Sequence, residues 1–171
     1  MDFTDVVRSR RSIRMYRLGK VPDEKIANII EAARLAPSGS NRQAWKFIVV
    51  RDTDKKNRLA ELCGKQLWIA DADIVIVCCW LPIAGADETR LRRDVTIATE
   101  HIVLAAVNEG LSTCWIGSFD TNAVKSLLAI PQEVGINTMV VLGYPDALPR
   151  ERTYKKTNEV VCYDHWENSQ K

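Results

Sequence analysis

The sequence predicts one domain of mixed α and β structure, with strands and helices alternating along the chain. Three observations predict it. The 171 residues suffice for one domain with its own core and leave little room for two. Apolar residues at 46 % and charged residues at 27 % are ordinary globular proportions, which argues against disorder or a fibrous fold. Segments of helical periodicity are separated by short β-rich runs, with neither an internal repeat nor a low-complexity stretch.

Taken in order, Asp2 is placed to cap a short helix whose Phe3, Val6 and Val7 follow i, i+3, i+4 spacing. A second helix begins at Pro22, carries Asp23 and Glu24 in its first turn, buries Ile26, Ile29, Ile30 and Ala33, and ends at Pro37. The loop PSGSN gives way to KFIVVR, a strand, and Asp54 to Gly64 reads as helix. ADIVIVCCW is dense enough in β-branched and apolar residues to be a central strand buried on both faces.

Glu88 to Glu109 is the longest helix, with Leu91, Val95, Ala98, Ile102 and Ala105 on one stripe and Gly110 as its C-terminal cap. Val103, Leu104 and Val107 widen that stripe until the helix needs cover on more than one side, from its own sheet or another subunit. STCWIG reads as a strand, Asp120 caps a helix carrying Val124, Leu127 and Leu128, and NTMVVLGY is the last core strand. The chain then turns polar and ends on VVCY and Trp166, apolar residues that need a surface; a partner subunit is one.

A net charge of +2 is too small to imply a nucleic-acid or membrane partner. The five cysteines have neither C-x-x-C nor metal spacing and read as thiols, with Cys78, Cys79 and Cys114 inside apolar runs. A reducing cytoplasm fits them. The N-terminus lacks a signal-like apolar stretch and no segment approaches the ~20 apolar residues that span a bilayer, so neither secretion nor insertion is expected.

Three segments carry residues suited to chemistry. RSRRSIRMYR, residues 8–17, holds five arginines. Such runs are usually solvated faces, but in an extended segment Arg10, Ser12 and Arg14 share one side and form an anion site of two guanidinium forks and a hydroxyl. A nucleic-acid patch is the rival reading, and it lacks interleaved aromatics except Tyr16. APSGSNRQAWKF, residues 36–47, reads either as a plain helix-to-strand turn or as a loop whose backbone N–H groups and small side chains approach a ligand closely. TCWIGSFD, residues 113–120, is a strand end at Gly117 where a flat ring can lie on the backbone, or simply a strand end before the Asp120 cap.

Together, an N-terminal R-x-S-x-R, an A-P-S-x-x-N-x-Q loop before a strand, a buried helix ending in E-G-L, and then C-W-I-G resemble the nitroreductase family of FMN enzymes. The match runs from about Phe3 to the terminal VVCYDHW. The resemblance implies an α+β fold with a mixed, mainly antiparallel sheet flanked by helices, in an intertwined homodimer whose interface includes the long helix. It implies a single FMN-binding domain over residues 1–171, with a C-terminal arm, about 146–171, packing on the partner subunit. Arg10, Ser12 and Arg14 match the segment that contacts the FMN phosphate, ribityl chain and pyrimidine edge, with Arg11 joining through its backbone. Pro37, Ser38, Ser40, Asn41 and Gln43 fall in or beside the loop that reaches the flavin from the second subunit. Ile116 and Gly117 match the strand end near the central part of the ring, where a backbone N–H points at N5. The family's C-terminal Arg-Lys pair is altered here: Tyr154 takes the arginine position and Lys155 the lysine position, with Lys156 or Arg152 as substitutes.

The implied activity is that of an FMN-dependent NAD(P)H oxidoreductase passing electrons to nitroaromatic, quinone or similar electron-poor acceptors by a ping-pong mechanism. The flavin carries the chemistry and no catalytic side chain is required, Arg14 and the Gly117 backbone tuning the ring. The chain is short for the family, with little room for the extra helices that cover the flavin in longer members. A flavin-binding protein with another redox or flavin-handling role would keep the same cofactor residues. His101 reads as a packed helix residue and His165 as part of a polar tail; neither has nucleophile or metal spacing, and no metal is expected. No G-x-G-x-x-G follows a strand, and the five tryptophans read as core and interface residues.

Overall fold

The computed structural model describes residues 1–146 and 152–166. Acidic caps start four of the helices, two of them, at Asp2 and Asp120, where the sequence places them. Asp2 accepts from the Asp5 N–H (2.9 Å) and opens α1, Phe3–Ser9. Pro22 leads into α2, Asp23–Arg34, Asp52 caps α3, Thr53–Leu62, Asp87 caps α5, Glu88–Asn108, and Asp120 caps α6, Thr121–Leu128. Gly110 ends the long helix with φ +75, a left-handed conformation that favours glycine. Between α3 and α5 lies α4, Trp68–Asp71, one turn too short to leave a periodic signal in sequence.

The strands are β1, Tyr16–Arg17; β2, Trp45–Val50; β3, Ile74–Trp80; β4, Ser112–Ile116; and β5, Gly135–Pro145. β3 lies between β2 and β5, and the other edge of β5 pairs with β4 and, further along, with β1. All these ladders are antiparallel, and a bridge between Ser12 and Thr113 adds a parallel contact.

β3 is buried on both faces because helices cover both sides of the sheet. Ile74, Ile76 and Cys78 pack in the layer of Ile29 and Ala33 from α2 and Val95 and Ala98 from α5. Val75, Val77 and Cys79 enter the layer of Leu59 from α3, Ile69 from α4 and Val124 from α6. Cys63, Cys78, Cys79 and Cys114 are buried, and burial pushes the Cys78 thiol up to about 12, as expected of core residues rather than reactive thiolates. Gly135 is required where β5 passes the Trp80 ring, which a Cβ there would overlap.

Two expectations are corrected. α1 buries only Val6, leaving Phe3 and Val7 exposed, because a seven-residue helix at the margin of the fold offers the core a single side chain. On α5 the buried stripe is Leu91, Val95, Ala98, Ile102 and Val103, whereas Ala105, Leu104 and Val107 are half-buried. Residues 152–166 are exposed throughout, with one 3-10 turn at Thr157–Glu159; residues 147–151 and 167–171 of the expected C-terminal arm lie outside the described residues. Among the described residues, no helix is long and apolar enough to cross a membrane.

Candidate functional site

After α1 the chain runs extended along β4. The Ile13 N–H donates to the Thr113 carbonyl (3.0 Å), Ser12 bridges Thr113, and Ile13 is buried between half-buried Ser12 and exposed Arg14. This contact holds the arginine segment against the strand that ends in Ile116 and Gly117. Arg10 lies near enough to Glu100 of α5 to oppose the upward push that burial gives that carboxyl. The Arg11 side chain folds onto the Arg8 and Arg10 carbonyls (2.7 and 3.0 Å), and its Nε is buried with no partner among the described residues. A buried N–H without an acceptor is costly, so this donor is ready for an incoming oxygen.

Arg14 is aimed by aromatic side chains that the sequence did not single out. Its guanidinium stands 5.9 Å from the Trp68 ring centroid, and Trp68 stacks on Tyr16 at 6.4 Å. The Tyr16 hydroxyl donates to the Ile13 carbonyl (2.8 Å), tying the stack back to the segment that carries Arg14. No spacing rule links position 68 to position 14, because the contact crosses from α4 to an extended segment.

At the end of β4, Thr138 donates to the Ile116 carbonyl (2.9 Å) and fixes the last turn of strand. Gly117 is exposed, with nothing within 4 Å of where a Cβ would stand. Burial raises the Cys114 pKa, and the charges of Arg14 and Arg152 pull it back, so Arg152 reaches the same region as the N-terminal arginines. Tyr154, Lys155 and Lys156 are exposed beyond it, the Lys156 N–H donating to Glu159 (2.8 Å).

The P-S-G-S-N loop is a separate construction. Ser40, Asn41 and Gln43 all have left-handed backbones (φ 52, 53 and 51), which asparagine tolerates and which costs the other two about 1 kcal/mol or more each. Ser38 accepts from the Gln43 N–H (2.9 Å), and Asp94 of α5 accepts from the Gly39 N–H and the Arg42 guanidinium (both 3.1 Å). Pro37, Ser40, Asn41 and Gln43 face outward and Ser38 is half-buried. Asp94, 4 % exposed, was legible in principle: it sits three residues after Leu91 and four before Ala98, on the apolar stripe, where a carboxylate needs a partner.

The structure joins Arg10–Arg14 to Ile116–Gly117 and sets Pro37–Gln43 apart. The arginine segment flanks β4, whereas the loop leads into β2, four strand spacings away, about 19 Å across the sheet. The two also lie at opposite ends of it: Thr113 is level with Leu142 and Ile74, but Trp45 with Trp80 and Gly135. One chain therefore does not close a site from all three segments. His101 donates through Nδ1 to the Ala32 carbonyl (3.0 Å), a packed helix residue as the sequence implied.

Comparison with known proteins places these features in company. The model of the nitroreductase family matches residues 7–82, and one described as a putative TM nitroreductase matches residues 64–171. A putative NADH dehydrogenase/NAD(P)H nitroreductase of Archaeoglobus fulgidus is 36 % identical over 145 residues, covering 82 % of this chain and 83 % of that protein. The solved structure of B. megaterium NfrA2 superposes with a TM-score of 0.90 at 27 % identity, covering 97 % of this chain and 75 % of its own. The NADPH:FMN oxidoreductase of Vibrio harveyi, solved with NAD+, superposes with a TM-score of 0.90 at 26 % identity, covering 98 % and 79 %.

Proposed function

This chain belongs to the nitroreductase family, and from that premise we propose that it passes electrons from NAD(P)H to nitroaromatic, quinone or similar electron-poor acceptors by a ping-pong mechanism. It is an FMN-dependent NAD(P)H oxidoreductase. The observation that carries the reading is the Ser12–Thr113 bridge, which sets the R-x-S-x-R segment beside the C-W-I-G strand end.

The residues present fit FMN. Cationic and hydroxyl donors gather at one sheet edge, Arg11 holds a buried unpartnered N–H, and the space beside Gly117 is open to a flat ring. Arg10, Ser12 and Arg152 would hold the phosphate, and Arg14 would meet the polar ring edge. Bound there, FMN supplies the two-electron exchange between donor and acceptor. The chain binds and orients the cofactor, and Arg14 sets a fixed positive charge where negative charge develops. Protons come from solvent, with no side chain required to deliver them.

The site is completed by a second copy of this chain. The P-S-G-S-N loop lies too far from Arg10–Arg14 to serve its own subunit's site and is shaped to present Ser40, Asn41 and Gln43 outward. In a homodimer it covers the partner's cofactor, consistent with the half-exposed stripe on α5. Initial velocities with donor and acceptor both varied test the mechanism: parallel double-reciprocal lines are expected, and lines that intersect would overturn the ping-pong scheme.

A further inference from the structure

Where the P-S-G-S-N loop packs on the first turns of α5 there is a cavity of about 380 Å³, lined by Ser38, Gly39, Arg42, Arg90, Arg93 and Asp94 among others. That volume lies within the range of small-molecule sites. The charge of its wall is uneven. Asp94 is the acid in the lining, and both its oxygens are engaged, one by the Gly39 N–H and one by Arg42. Arg90 pairs with Asp87, an exposed pair that solvent screens. Arg93 has no carboxylate partner among the described residues, and the Arg42 Nε is buried with no partner. Of the three guanidinium groups facing the cavity, Arg42 pairs with Asp94 and Arg90 with Asp87, which leaves Arg93 as the cation without a carboxylate among the described residues.

We propose that this cavity binds the oxyanion of a charged co-substrate, either a phosphate of the nicotinamide dinucleotide or a carboxylate of an acceptor. Arg93 is its principal ligand, and Arg42, held by Asp94, supplies the second fork. The inference rests on the reading of the loop as one wall of the cofactor site, because Ser38 and Gly39 then border both the ring and the cavity. A co-substrate stacked at the ring would reach the arginines with its charged end. Arg93 is thereby a specificity-determining residue that does not touch the cofactor.

The test is isothermal titration of the FMN-loaded protein with inorganic pyrophosphate, in the chain as it stands and with Arg93→Gln or, as a surface control, Arg58→Gln. Arg93→Gln is expected to weaken pyrophosphate binding about tenfold, and Arg58→Gln to leave it unchanged. Two kinetic arms identify the source. A rise in the KM for NADPH relative to NADH assigns the site to the donor's additional phosphate; a rise for nitrobenzoate relative to nitrobenzamide assigns it to an acceptor carboxylate. Equal pyrophosphate affinity with and without Arg93 would overturn the proposal, as would weaker binding that moves neither KM ratio. Arg93-dependent pyrophosphate binding in a protein that oxidises neither dinucleotide would sustain the anion site and remove the functional reading instead.

Discussion

Arg14 and Arg10 share a segment but face different neighbours, and their substitutions should separate. Arg14 stands over Trp68, and with Arg14 at the ring edge as proposed, Arg14→Gln removes a fixed charge there and should lower the flavin potential. About 30 mV corresponds to ~1.4 kcal/mol for a two-electron couple, within reach of redox titration. Trp68→Leu should shift the potential in the same direction by less, since the charge remains but loses its guide. An unchanged potential in both variants would remove Arg14 from the ring. Arg10→Gln should chiefly weaken FMN binding and also raise the Glu100 pKa, because Arg10 opposes the effect of burial there. Burial holds Glu100 above its ordinary value, so the folded state keeps a proton that the unfolded chain has lost. Stability from this group therefore falls as pH rises from the ordinary carboxylate range through the folded value, and Glu100→Gln should abolish that fall in urea titrations run against pH.

Asp94 shows how an element positions a loop. It is buried on α5 and clamps Gly39 and Arg42, holding three left-handed residues in place. Asp94→Ala leaves Arg42 without its carboxylate and should cost about 3 kcal/mol by chemical denaturation, as expected when one partner of a buried pair is removed. A loss below ~1 kcal/mol would mean the loop holds itself. In sequence, the helix bearing Asp94 was legible almost to the residue, Glu88 to Glu109 against Glu88–Asn108, because its stripe and terminal glycine agree. The role of Asp94 was hidden because the stripe was read for its apolar members. β1 and α4, at two and four residues, are too short to carry a period. Strand direction was also hidden in ADIVIVCCW: burial on both faces is the usual mark of a parallel strand, whereas here helices cover both faces of an antiparallel one. The three candidate segments were visible as motifs; in the structure the Ser12–Thr113 bridge and the strand order bring two of them together in one chain and leave the third apart, as the resemblance implied.

At the scale of the whole molecule, several apolar side chains are exposed, as the proposed homodimer requires of a surface it would cover. Phe3 is 74 % exposed and Trp166 85 %, with Val7, Val160, Val161 and Tyr163 also open. Obligate interfaces commonly bury more than about 2,000 Å² and resemble a divided core. Removing residues 160–171 should therefore weaken assembly and flavin retention together, read by light scattering and by flavin released on gel filtration. A stable, flavin-loaded monomer would contradict the shared site. FMN held at the edge of β4, as proposed, would take electrons from NAD(P)H and pass them on, which the visible spectrum of the FMN-incubated, desalted protein reads under anaerobic addition of NADH or NADPH and then of a quinone. The protein should be yellow, bleach with one or both donors and regain its colour with the acceptor; a protein that stays colourless, or whose colour neither donor removes, would contradict the account.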